Sequence, residues 1–297
     1  LLDGPDHYEV VTPYTEDDLI TVDGTCALRT AQLGDIMWIV HAEGKHPPYR
    51  LSRLGAINWT LVADDLKGGP FRDINQDDTI QVTADDVEGN VTVTSIGAGI
   101  FTADHVGMLF FMESTDPSVV TPYQPTKSIS IGQQNRNAGN VYEALSAYTY
   151  DKDSDFPPQR YPPVHTEGDA WDGAVLWKYL HSGYGWGRVT TYTDSTHVDM
   201  DVISRLPDEV TASNPSGNQP GGSAYTRRWA WQDISEMYGW PTNVCFFRGR
   251  LVYARNTTVY MSTVGGYDDF SAKDAGLVTK ETAIRLPLAV DKLDSGG

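Results

Sequence analysis

Three short constellations in this chain have residue types that could do chemistry. His197, Asp199 and Asp201 alternate. On a strand, alternate residues share a face, so three ligand-type side chains would gather where a metal ion could sit. A solvated strand face satisfies the same spacing. Asp151, Asp153 and Asp155 begin like a calcium loop, but Phe156 stands where that loop needs glycine and Pro162 where it needs a bidentate glutamate. The run therefore reads as an acidic loop. Gly183-Tyr184-Gly185-Trp186-Gly187 is glycine-rich, yet it has neither the spacing nor the following helix of a phosphate loop. We assign no catalytic residue, no metal ligand and no cofactor, and the chain does not read as an enzyme.

Aromatic rings are the other chemical resource, because they stack on sugar faces and anchor protein contacts. Tyr142, Trp171, Trp177, Tyr179, Tyr184 and Trp186 fall within 45 residues of one another. Tyr142 and Trp177 read as the core of a small module. Trp171, flanked by Ala170 and Asp172 in a loop, and Tyr184 and Trp186, in the glycine-rich run, are the candidate contact residues for a glycan or a partner.

Strands must position all of these. In Tyr238 to Phe270, the apolar run Val244 to Phe247, the turn Arg248-Gly249-Arg250 and the apolar run Leu251 to Ala254 predict a hairpin. Val259 to Ser262 predicts a third strand, which Gly265-Gly266 ends. Upstream, Asp35 to Val40, a break at Pro47-Pro48 and Tyr49 to Ser52 repeat the pattern. Ser52-x-x-Gly55 followed by Trp59 corresponds to Ser262-x-x-Gly265 followed by Phe270. Two such units around a long insert predict propeller blades, each needing neighbours to bury both faces. Two blades cannot close a ring.

The insert alternates at Thr79 to Thr83, Val91 to Ser95, Gly187 to Tyr192 and Thr196 to Val202, which predicts one β-module cut in two. A nested unit from Val119 to Ser182 separates its halves. The fold class is therefore all-β: incomplete propeller-like blades carrying inserted small β-barrel or sandwich modules. The expected boundaries are 1–75 for the first blade region, 76–118 and 183–206 for the cut module, 119–182 for the nested domain, 207–225 for a linker and 226–297 for the second blade region. The linker rests on the polar, glycine- and proline-rich segment 212–222. Arg227-Arg228-Trp229-Ala230-Trp231 after it suits either a contact strip or re-entry into the blade core.

The net charge is −18. That is the wrong sign for a reader of nucleic-acid sequence, which neutralises phosphates with clustered lysine and arginine. It suits an acidic surface, or a channel wall that lets DNA slide without sticking. Cys26 and Cys245 sit beside apolar residues and read as buried free thiols. No amino-terminal signal segment stands out, and no apolar run approaches the ~18 residues of a membrane helix.

Taken in order, Pro13-Tyr14-Thr15-Glu16-Asp17-Asp18-Leu19, Pro47 to Gly55 with Asn58-Trp59-Thr60, and Gly239-Trp240-Pro241 with Phe247 to Val252 resemble a family of short-tailed bacteriophage tail proteins, the tail tubular B or nozzle type. The resemblance implies a virion structural protein, assembled in the host cytoplasm. It implies a ring, a hexamer, beneath the portal and tail adaptor and near the tail fibre proteins, with genomic DNA passing through unbound. It also implies that this chain, opening at Leu1, is a fragment. The nested unit, with Gly139 to Ala144, His165 to Gly168 and Leu176 to Tyr179, resembles the small carbohydrate-binding modules of chitinases, with Tyr123 where those modules carry tryptophan. That likeness implies the rival function, a tail adhesin that binds or cleaves host surface polysaccharide.

Overall fold

The computed structural model describes residues 9–115, 120–151, 161–211, 225–273 and 278–288. Among them are eighteen strands, three single-turn 3-10 helices and no α-helix. The all-β class is thus observed, with every named strand pair antiparallel in four separate sheets. The chain gathers into two compact units. One holds the described residues up to Pro70, Asp233–Ala272 and those from Thr279 on. The other holds Phe71–Gln232 with Lys273 and Val278.

The first unit opens with a four-stranded meander. It contains β1 (Leu28–Leu33), β2 (Ile36–His41), β3 (Tyr49–Gly55) and β4 (Asn58–Ala63), paired in chain order. Only β2 is strongly buried, and its Ile36, Trp38 and Val40 project to one side. β1 and β4 are largely exposed, which is why their composition gave no strand signal.

The second unit begins with β5 (Gln81–Ala84), β6 (Asn90–Ile96) and β7 (Leu109–Glu113). The nested sheet follows, with β8 (Gln134–Asn137), β9 (Asn140–Ala144), β10 (Asp169–Asp172) and β11 (Val175–His181) in the order β10-β11-β9-β8. Then β12 (Tyr184–Asp194), β13 (His197–Ser204) and β14 (Arg228–Trp231) complete a six-stranded sheet, β14-β7-β12-β13-β6-β5. Three register shifts along β12 and β13 mark bulges, which bend strands, and this sheet curls into a half-barrel.

Inside the curl, Val91, Val93, Met112, Val189, Val198 and Met200 are buried. Phe101 meets Phe110 and Trp231 edge to face, Phe110 lies tilted against Trp231 at 4.5 Å, and the His105 ring stacks on Trp231 at 3.8 Å. His105 Nδ1 accepts from Thr102 N–H at 2.9 Å, and burial holds the ring below its ordinary pKa.

The glycine-rich run is explained by this sheet. A Cβ on Gly185 would lie 2.3 Å from Arg205 O, and one on Gly187 would lie 2.5 Å from Asp201 O, so the bent β12 and β13 leave no room for side chains there. Two expectations are corrected here. Residues 226–232 do not belong with the second blade: Arg228–Trp231 pairs with β7, its apolar inward residues completing the half-barrel core. The expected linker 207–225 begins as a packed turn, because Asp208 is buried and accepts from Arg205 at 2.7 Å and from Gln134 at 2.8 Å. Residues 212–224 lie outside the described residues.

The second meander closes the first unit with β15 (Asn243–Phe247), β16 (Arg250–Arg255), β17 (Thr258–Met261) and β18 (Ile284–Pro287). Its first hairpin turns at Arg248 (φ 49°) and Gly249 (φ 75°), both in the left-handed region that a two-residue primed turn requires. The two meanders share one core. Trp38 and Val40 pack with Leu251, Tyr253, Tyr260, Ile234 and Phe270, and Trp38 meets Phe246 edge to face at 5.3 Å. This is the arrangement expected of neighbouring blades, and its register adds a direction. The closing pairs Leu33–Ile36 and Phe247–Arg250 make Trp38 the counterpart of Val252. Trp38 faces the shared core, whereas Val252 lies on the opposite face from Leu251 and Tyr253. The meanders therefore stack head to tail.

Buried polar groups tie this core together. Asp233 is 1% exposed and accepts from Arg255 (2.7 Å), Arg285 (2.6 Å) and Tyr260 (2.9 Å). Burial alone would raise its pKa, but those three donors outweigh burial and hold it low. Asp64 accepts from Tyr253 at 2.8 Å, while its Oδ1 finds no partner. Burial pushes its pKa up to about 6 against the opposing pull of Tyr253 and Arg50.

Candidate functional site

Tyr184 and Trp186 are two residues apart on β12 and so share a face, away from the half-barrel core. Their rings are nearly parallel at 6.1 Å. Phe111 on β7 stacks on Tyr184 at 5.6 Å, and Phe71 lies over Phe111 and Trp186 at 5.1 and 6.3 Å. The Lys273 ammonium sits 5.2 Å from the centre of the Tyr184 ring, and Tyr184 Oη donates to Lys273 O at 3.2 Å. Glu113 then takes both Lys273 (2.6 Å) and Arg228 (2.8 Å). Tyr184 and Trp186 are half-buried parts of this box. Their ring faces are largely spent on neighbours, which leaves little area to stack on a ligand.

Trp171 is not brought together with them. It lies on β10, so the expected loop is a strand, one of the two edge strands of the nested sheet, and the residue is 66% exposed. Register places Leu176 beside it on the same face. One row along, Asp169, Lys178, Glu143 and Gln134 line up across all four strands. That face offers a bare indole, an apolar neighbour and a row of acceptors and donors. Carboxylates and amides of this kind bind sugar hydroxyls, while an indole covers the apolar face of a pyranose.

The opposite face of the nested sheet is its core. Tyr142, Ala144, Val175 and Trp177 are fully buried with Ile129, and Tyr123, Tyr148 and Tyr179 pack around them. Tyr142 Oη donates to His165 O at 3.0 Å, and His165 Nδ1 lies 2.8 Å from Asp172. Burying each of the two large rings stabilises the sheet by about 2–3 kcal/mol. The reading of Tyr142 and Trp177 as core is therefore the observed one.

The other chemical candidates disperse. On β13, His197 turns back to Asp194 (3.0 Å), Asp199 accepts from Thr92 (3.2 Å) and Asp201 accepts from Asn90 (2.7 Å). Each is taken by its own neighbour, and no cluster of metal-ligating side chains forms among the described residues. Asp153, Asp155 and Phe156 lie outside the described residues. Cys26 and Cys245 are exposed, not buried: on β15 the apolar neighbours Val244 and Phe246 alternate inward and leave Cys245 on the outer face.

Reading the sequence missed Glu113, Asp233 and Asp64, because their partners come from positions more than twenty and up to 189 residues away. It also missed the row across the nested sheet, where no single strand carries a pattern. No protein-family model matches the chain, and no curated protein matches its sequence.

Proposed function

We propose that this chain is a structural component of a short-tailed phage tail, part of the nozzle or tail-tube ring of the DNA ejection conduit. One observation carries the reading. Two four-stranded meanders stack head to tail, and the face that would continue the series remains apolar at its rim. Ile284 and Leu286 alternate along the outermost strand at 43–45% exposure, Leu288 follows just beyond its end at 50%, and Phe247 is 53% exposed on the same face as the first two. An open series of this kind suits a protein completed by neighbours. The charge of −18 suits a wall that DNA must pass without adhering. In this reading the subunits form a hexamer in the virion, assembled in the host cytoplasm. They contact the tail adaptor and tail fibre proteins, and no residue performs catalysis. Light scattering after gel filtration, with negative-stain images of the same peak, tests it on the purified chain. Rings with a central hole support the conduit. A monomer that stays single when mixed with adaptor and portal rings rejects it.

A second reading has its own observation, the bare Trp171 beside the polar row of the nested sheet. It makes the chain a tail adhesin for host surface polysaccharide. Saturable binding to purified polysaccharide that is lost in Trp171→Ala supports it, and release of cleaved sugar would turn the adhesin into an enzyme.

A further inference from the structure

The nested module holds a cleft of about 320 Å³ on the far side of its sheet from β10, lined by Gln124, Lys127, Ser128, Ile129, Gln133 and Asn135 together with Thr121 and Pro122. We propose that it is a binding site for a sugar acid, a single pyranose carrying one carboxylate. The volume is at the small end of ligand pockets and suits one ring, not an oligosaccharide.

Its polar wall is fixed in advance. Ser130 N–H donates to Gln133 Oε1 (3.2 Å), Gln133 Nε2 donates to Asn135 Oδ1 (3.0 Å), and Asn135 Nδ2 donates to Thr121 O (3.2 Å). Asn135 is 4% exposed, so this relay sits at the floor beside Ile129, also 4% exposed. Each amide nitrogen carries a second hydrogen that the relay does not use. Ser128 Oγ accepts from Tyr150 N–H at 3.0 Å, which leaves its own hydrogen to donate elsewhere.

The wall is thus rich in donors, and no lining residue is acidic. In a chain of net charge −18 that is a local reversal. Lys127 sharpens it, since the ion pairs made by lysines among the described residues belong to Lys45, Lys67 and Lys273. One unpaired cation among neutral donors suits a monoanion. A phosphate dianion is better matched by bidentate arginines, of which the cleft has none. Pro122 and Ile129 supply apolar contact for the ring's C–H face. The assignment uses none of the residues of the Trp171 face and depends on neither functional reading.

Methyl glucuronide and methyl glucoside differ in the carboxylate, so calorimetric titration of the whole chain with each tests the site. We expect saturable binding of the uronide and about tenfold weaker binding of the glucoside. Lys127→Gln should lower uronide affinity about tenfold and leave the glucoside unchanged. Gln133→Ala should weaken both, and Trp171→Ala neither, with far-UV circular dichroism confirming that each variant is folded. Absence of saturable uronide binding overturns the assignment. So do equal affinities for the two sugars, an undiminished affinity in Lys127→Gln, tighter binding of glucose 6-phosphate, or loss of uronide binding in Trp171→Ala.

Discussion

The meander pair and the nested module are both built from four-stranded sheets, but they hold themselves together in opposite ways. The meander pair buries charge: Asp233 with two arginines, and Asp64 against a tyrosine, sit inside an aromatic core. The nested sheet buries rings, Tyr142 and Trp177, and turns its charged row outward. Buried ion pairs contribute little net stability, yet they penalise every arrangement that breaks them. The meander core is therefore specified by its partners, and the nested core by its volume.

The comparison breaks first at the two centres. Asp233→Ala strands two arginines and a tyrosine and should cost about 3–5 kcal/mol, and Trp177→Ala should cost a similar amount through its cavity. Urea unfolding with separate probes for the two regions would read both. Repeating it below pH 4 separates the causes. The folded state holds Asp233 ionised below the ordinary carboxylate pKa, so its contribution is present at neutral pH and lost in acid. The Trp177 cost should stay the same, and equal pH dependence of the two would sink the distinction.

Asp64 runs the other way. Folded, it binds its proton up to about pH 6, whereas the unfolded carboxyl releases it near 3.8. Stability from this group is full below about pH 4 and lost as pH rises to about 6, a difference of roughly 3 kcal/mol. Asp64→Asn should remove that slope and gain stability at pH 7. A variant with an unchanged pH profile would refute the assignment.

In the half-barrel, Gly185→Ala should lose about 1–3 kcal/mol by crowding β13, seen as a lower unfolding midpoint, whereas no change would mean that the strands separate freely there. The smallest effect belongs to Trp171→Ala, within about 0.5 kcal/mol. A larger loss would mean that the indole is structural and has no place in a contact face.

Strand placement was legible where one strand face is buried. The runs at Val244 and Leu251, with glycine in the turn between them, lie on β15 and β16, and Tyr49 to Ser52 lies on β3. The correspondence of Ser52 with Ser262 is shifted by one residue. Ser52 pairs with Ile36, the first residue after its turn, while Ser262 N–H donates to Leu251 O, the second after its own. The aromatic residues after them diverge as well: Trp59 lies half-buried on β4, and Phe270 is in the core outside any strand. Outer strands such as β1, β4 and β10 bury too little to leave an alternating pattern. Of the three candidate contact residues, only Trp171 is open, because the rings that cover Tyr184 and Trp186 come from positions 71 and 111. Spacing along the chain cannot show that.

The insert also returns to its starting point. Asp233 N–H donates to Pro70 O at 2.7 Å within the first unit, and Arg72 N–H donates to Trp231 O at 2.8 Å within the second, so the two ends of the excursion 71–232 are neighbours in each unit. During synthesis the Trp38 face emerges long before its partners at 244–270, an interval of about ten to forty seconds at ordinary elongation rates. Folding of the insert in that interval brings Pro70 and Asp233 together and shortens the loop that the second meander must close. What would be a slow search across the whole chain becomes a local docking step, ordered by the ribosome.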